Sequence, residues 1–153
     1  MLSPLRRAGS GATRSADDRP AHPYVGLDYY NLGISLFEQE RYEDALPHFR
    51  RAITYRKRAD KPHQSILFDA YLKLGRCRTA LGHYARAESA IDTAAVLERR
   101  HRARGTPGYG PVDRRAVLEA FVELYENRGA PEQADRYRRR LANVAPDSAE
   151  ASP

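Results

Sequence analysis

The feature that most constrains this chain is a pattern that returns. Tyr29-Tyr30-Asn31-Leu32-Gly33 is followed by Tyr42, Ala45, Phe49 and Ala52, and Tyr71-Leu72-Lys73-Leu74-Gly75 by Gly82, Tyr84, Ala87, Ile91 and Ala94. A weaker third copy runs Leu118-Glu119-Ala120-Phe121-Val122, then Tyr125, Gly129, Ala134, Leu141 and Pro146. Repeats of this length build stacked supersecondary units, because each unit leaves an apolar face that only a neighbouring unit can cover.

Each copy reads as two helices joined by a tight turn. Tyr42, Ala45, Leu46, Phe49, Ala52 and Ile53 recur at helical spacing and form one continuous face, and Tyr84, Ala87, Ala90, Ile91, Ala94 and Leu97 repeat it. Glu40-Arg41, Gly82-His83 and Gly129-Ala130-Pro131 mark the turns, with Gly129 suited to end one helix and Pro131 to begin the next. Gly33, Gly75, Ala45, Ala87 and Ala134 allow close approach of helix backbones, while Tyr29, Leu32, Phe49, Tyr71, Leu74 and Ile91 fill the space beside them. The expectation is an all-α fold of six main helices, spanning Tyr24–Glu40, Tyr42–Arg58, Gln64–Leu81, Tyr84–Arg102, Val112–Arg128 and Pro131–Val144. Three antiparallel pairs would stack as a short right-handed solenoid.

An aromatic, a Leu-Gly pair, an aromatic, a small residue, a second aromatic and a further Ala, in that order, resemble the tetratricopeptide repeat. Tyr29, Leu32, Gly33, Ala45, Phe49 and Ala52 carry the resemblance in the first copy. Tyr71, Leu74, Gly75, Ala87 and Ala94 carry it in the second, with Ile91 in the aromatic slot. The third departs, with Val122 for the Gly and Arg138 for the aromatic, but Tyr125, Ala134 and Pro146 stay in register. The step from Gly33 to Gly75 is 42 residues and from Gly75 to Val122 is 47, longer than the usual repeat. Proline-bearing entries at His22-Pro23, Lys61-Pro62-His63 and Gly110-Pro111 make the chain similar to the long-repeat, kinesin-light-chain type. The implied domain covers residues 23–146, with a flexible tail at 1–22 and a disordered one at 147–153.

Resemblance to this family implies a concave groove lined by the first helix of each pair, holding a peptide or helix of a partner protein. Carried over by position, the groove presents Leu27, Tyr30, Asn31, Ile34 and Phe37, then Asp69, Leu72, Lys73, Arg76 and Thr79. Ala116, Glu119, Ala120, Glu123 and Glu126 would follow from the third copy. Asn31 stands where some members pair an Asn with the partner's backbone amide; Lys73 and Ala120 hold the equivalent slots. Tyr30 and Ile34 occupy the positions of the Lys and Asn that clamp chaperone C-terminal carboxylates, so that recognition mode is not expected. The alternative use of Tyr30, Ile34 and Phe37 is burial under the chain's own N-terminal segment.

Net charge is +6, with 26 basic and 20 acidic residues. Arginine runs end the second helices: Arg50, Arg51, Arg56, Lys57 and Arg58; Arg99, Arg100, Arg102 and Arg104; Arg136, Arg138, Arg139 and Arg140. Cations near helix C-termini are favoured by the macrodipole, which accounts for most of them. If aligned instead into an outer stripe, they would attract nucleic acid or an acidic protein, the alternative functional reading. A further alternative is a regulatory partner of a neighbouring enzyme or DNA-binding protein.

Catalytic and cofactor signals are not found. The five histidines show no metal-ligand spacing, Gly105-Thr106-Pro107-Gly108-Tyr109-Gly110 has neither the Lys nor the strand of a phosphate loop, and Cys77 occupies a packing position. The expectation is a non-catalytic adaptor without cofactor or metal. A single cysteine excludes internal disulfides and favours a reducing, cytoplasmic setting. No apolar run reaches the roughly 18–20 residues of a membrane span. The arginine-bearing segment up to Ala21 has no apolar core for a secretory signal; a plain tail and an organellar transit peptide are both open. With no polar capping helix evident after Pro146, self-association through an uncovered repeat end is also expected.

Overall fold

In the computed structural model, His22 and residues 24–59, 64–105 and 113–144 are described. All of the expected 1–22 tail but His22, the expected tail at 147–153, Pro23, the Lys61-Pro62-His63 and Gly110-Pro111 entries and Pro146 lie outside them. Six helices follow in order: α1 (Val25–Glu38), α2 (Tyr42–Arg58), α3 (Gln64–Ala80), α4 (Tyr84–Arg104), α5 (Arg114–Asn127) and α6 (Pro131–Ala142). All six expected helices are present, and their ends differ by two residues or fewer. Among the described residues there are no strands.

Consecutive helices pack as α1 on α2, α3 on α4 and α5 on α6, and successive pairs stack through α2 on α3 and α4 on α5. The first helices also touch one another, α1 with α3 and α3 with α5, whereas the second helices do not. The helix pairs therefore curve, with α1, α3 and α5 as the inner row.

Each pair is closed by the same device. Arg41 N donates to Leu36 O, His83 N to Arg78 O and Ala130 N to Tyr125 O, with Glu40, Gly82 and Gly129 N donating three residues back. This arrangement satisfies the last carbonyls of the first helix and needs a left-handed residue before the second. Gly82 at φ 77° and Gly129 at φ 74° adopt that conformation without a side-chain clash. In the first turn Glu40 does so at φ 57°, the only non-glycine with positive φ among the described residues.

Two apolar clusters hold the stack. Leu36, Ala45, Phe49, Ile53, Leu67, Leu74 and Cys77 join the first pair to the second; Phe68, Leu72, Ile91, Val117, Phe121 and Leu124 join the second to the third. Phe49 and Ile91 are fully buried, and each lies against the glycine of its own Leu-Gly pair. A Cβ at Gly33 would fall 2.8 Å from Phe49 Cε1, and one at Gly75 would fall 2.5 Å from Ile91 Cγ1. The third pair departs from the pattern at both positions together. Arg138, in the aromatic slot, turns outward to Glu126 and Asp135, so Val122 meets no such ring. Tyr137 instead stacks on Phe121, with centroids 4.5 Å apart.

The ends of the stack differ from its middle. Ala70, Leu74 and Cys77 are buried against the first pair, but their counterparts 42 residues earlier, Asp28, Leu32 and Ser35, face outward, with Leu32 47% exposed. Leu32 therefore does not fill interhelical space as expected, because α1 has no helix pair before it among the described residues. At the other end, Phe68, Leu72 and Thr79 are buried, while Arg115, Glu119 and Glu126, 47 residues on, are exposed. Arg115 and Glu119 pair at 3.2 Å, and Glu126 pairs with Arg138. At these positions the described face beyond α5 is thus charged rather than apolar.

Candidate functional site: the concave face

The inner row brings eight of the ten expected site residues to one partly open surface. Asn31 is exposed; Leu27, Tyr30, Ile34, Phe37, Asp69, Lys73 and Arg76 are half-buried. Leu72 and Thr79 are corrections. Leu72 is 3% exposed and packs into the cluster shared with α5, and Thr79 is 1% exposed, its hydroxyl donating to Gly75 O at 3.1 Å. Leu72 is covered because a central inner helix must pack against neighbours on both flanks. From the third pair, Glu123 is half-buried and Glu119 and Glu126 are exposed, while Ala120 is buried.

The polar groups of this face are tied across helices. Tyr30 Oη donates to Asp69 Oδ2 at 2.6 Å, linking α1 to α3. Burial, and then this bond to a carboxylate, push the Tyr30 hydroxyl well above its ordinary range, so it remains a donor. Arg76 Nε donates to Glu123 Oε2 at 2.9 Å, linking α3 to α5. Between them Phe37 packs edge-on against Tyr42, and the Lys73 ammonium stands 4.9 Å from the Phe37 ring centroid. Lys73 makes no ion pair with a described carboxylate. Its charge is held by an aromatic face and stays available to solvent.

These contacts divide the surface into fixed and free parts. Tyr30, Asp69, Arg76 and Glu123 are committed to one another, which rigidifies the curvature. Asn31 and Lys73 are the polar groups left over, flanked by the partly open apolar surface of Ile34 and Phe37. Sequence position identified all of these residues but not their pairings, since Asp69 and Glu123 lie 39 and 47 residues from the groups they bind. Cys77 lies beneath this face, fully buried, its thiol pushed up to about 12 by burial. Among the described residues no group of three His, Cys, Asp or Glu side chains is gathered to hold a metal, and no helix is long and apolar enough to cross a membrane.

Antiparallel helix pairs, identical turn motifs and an inner row of first helices define an α-solenoid of helix-turn-helix repeats. Residues 27–95, spanning the first two pairs, match the family model described as Tetratricopeptide repeat. Residues 27–95 thus carry tetratricopeptide repeats, and their long spacing is compatible with the kinesin-light-chain-like type. Such repeats generally mediate protein–protein interaction and typically serve as non-catalytic scaffolds. No curated protein and no solved structure matches the chain.

Proposed function

We propose that this protein is a non-catalytic adaptor that holds a peptide or helix of a partner protein on the concave face. The observation supporting this reading is the combination of half-open Ile34 and Phe37 with two uncommitted polar groups, Asn31 and Lys73. An aromatic and aliphatic surface supplies desolvated contact area. A side-chain amide offers a donor and an acceptor to a peptide backbone, and an ammonium without an ion-pair partner favours a nearby carboxylate. A partner segment with an apolar anchor beside an acidic residue fits this set. A cytoplasmic setting, in keeping with a single unpaired cysteine, belongs to the same proposal.

The test is selection from a displayed peptide library on the full chain, followed by titration with Asn31→Ala and Lys73→Glu. Those two residues report on binding, whereas changing Tyr30 or Arg76 would also break an inter-repeat contact. Affinity should fall by about tenfold or more for Lys73→Glu with an acidic ligand, as expected for one charge-assisted contact. Unchanged affinity in both variants would refute the assignment.

A further inference from the structure

A second concave feature lies away from the inner face, where the C-terminal half of α4, the first turns of α5 and the end of α6 meet. It is a cleft of about 80 Å³ lined by four exposed arginines from three helices: Arg99 and Arg102 from α4, Arg114 from α5 and Arg140 from α6. Ala95, Val117, Leu118 and Phe121 supply the apolar part of its lining. A single acidic side chain, Glu98, lines it; Glu98 is 6% exposed and accepts a 3.3 Å ion pair from Arg102. Four arginines against Glu98 make this lining strongly basic, and Arg140 is held 5.2 Å from the Tyr137 ring centroid.

Helix-end preference accounts for Arg102 and Arg140, which sit near C-termini, but not for Arg114. Arg114 is the first residue of α5, where the macrodipole disfavours a cation. The Asp113 carboxylate already caps this N-terminus, accepting from Arg115 N at 2.7 Å, so the pull on an anion comes from the arginines themselves, beside a partly apolar wall. We propose that this cleft binds a phosphomonoester group, carried on a phosphorylated side chain of a partner protein. Such a group has a charge of about −1.5 to −2 at neutral pH and three terminal oxygens, which match several guanidinium forks at once.

A nucleic-acid backbone fits less well. It requires a continuous basic track, and the surface beyond this cleft is interrupted by Glu88 and Asp92 along α4 and by the Glu126–Arg138–Asp135 pairing near α6. One compact, open basic node suits one terminal phosphate. None of its residues belongs to the concave face, so this inference stands or falls separately from peptide binding there.

The experiment follows the arginine Nε–H resonances of the full chain during titration with O-phosphoserine, with serine and with a single-stranded DNA oligonucleotide. O-phosphoserine should give saturable shifts confined to Arg99, Arg102, Arg114 and Arg140, and serine none. Arg114→Gln should weaken that binding by about tenfold, as expected for loss of one charge-assisted contact, whereas the exposed Arg136→Gln should not. Absence of saturable shifts, shifts spread evenly over the other arginines, or a response to DNA but not to O-phosphoserine would each overturn the proposal.

Discussion

A Cβ placed on Gly75 would lie 2.5 Å from Ile91 Cγ1, so these two residues set the separation of α3 and α4. Ile91 is fully buried and cannot swing aside. Gly75→Ala should therefore destabilise the fold by about 1–3 kcal/mol through overpacking, despite the better helix propensity of Ala. In an Ile91→Ala background the same change should become neutral or stabilising. Urea unfolding of the four proteins measures this coupling, and additive effects would contradict it.

The first turn carries a strained residue where the others carry glycine. Glu40 sits at φ 57°, is exposed and occupies the position of Gly82 and Gly129. Glu40→Gly should stabilise the protein by roughly 1 kcal/mol, since a left-handed non-glycine costs about 1–2 kcal/mol. Gly82→Ala and Gly129→Ala should be destabilising. Thermal melting distinguishes these signs directly.

Three weak acids, Cys77 and Tyr125 buried and Tyr30 half-buried, make the fold sensitive to alkali. Burial raises the Cys77 thiol from 9.0 to about 12, and burial with carboxylate hydrogen bonds raises the Tyr30 and Tyr125 hydroxyls above 10.0. Each folded-state group holds its proton more tightly than the unfolded one. The associated stability is complete below the ordinary values and is lost as pH rises toward the folded ones. The melting temperature should fall between about pH 8 and pH 11, and less steeply in Tyr30→Phe and Tyr125→Phe. A flat profile would contradict the burial of these groups.

Charged end faces argue for a monomer. Asp28 and Ser35 at one end, and Arg115, Glu119 and Glu126 at the other, replace residues that are buried in the middle of the stack. Light scattering at high concentration should give the monomer mass. A stable dimer would show that Leu32, the exposed apolar residue of the first end, has found a partner.

The fold was legible in this sequence because helical periodicity and small residues at close crossings are local signals. Gly33 and Gly75 could be read as small residues at crossings and Phe49 and Ile91 as the large ones beside them, while their one-to-one pairing emerged from the fold. The departures Val122 and Arg138 look like decay of the motif in sequence; in three dimensions they compensate, because removal of the buried ring frees the glycine position. The concave face was legible only in part. Position along the inner helices identified Tyr30, Asn31 and Lys73, but the same rule placed Leu72 and Thr79 in the open, when both are buried. Whether an inner-row residue faces the groove or the next helix depends on inter-repeat packing, which periodicity within a single helix does not encode. The arginine cleft shares this origin, since Arg99, Arg114 and Arg140 are distant in sequence and meet only through the stacking of the second and third pairs.

The most direct test of the account is a contact footprint of a library-selected peptide on the full chain by cross-saturation NMR. The account predicts strongest transfer at Asn31, Ile34, Phe37 and Lys73. A footprint confined to the outer surfaces of α2, α4 and α6 would contradict it.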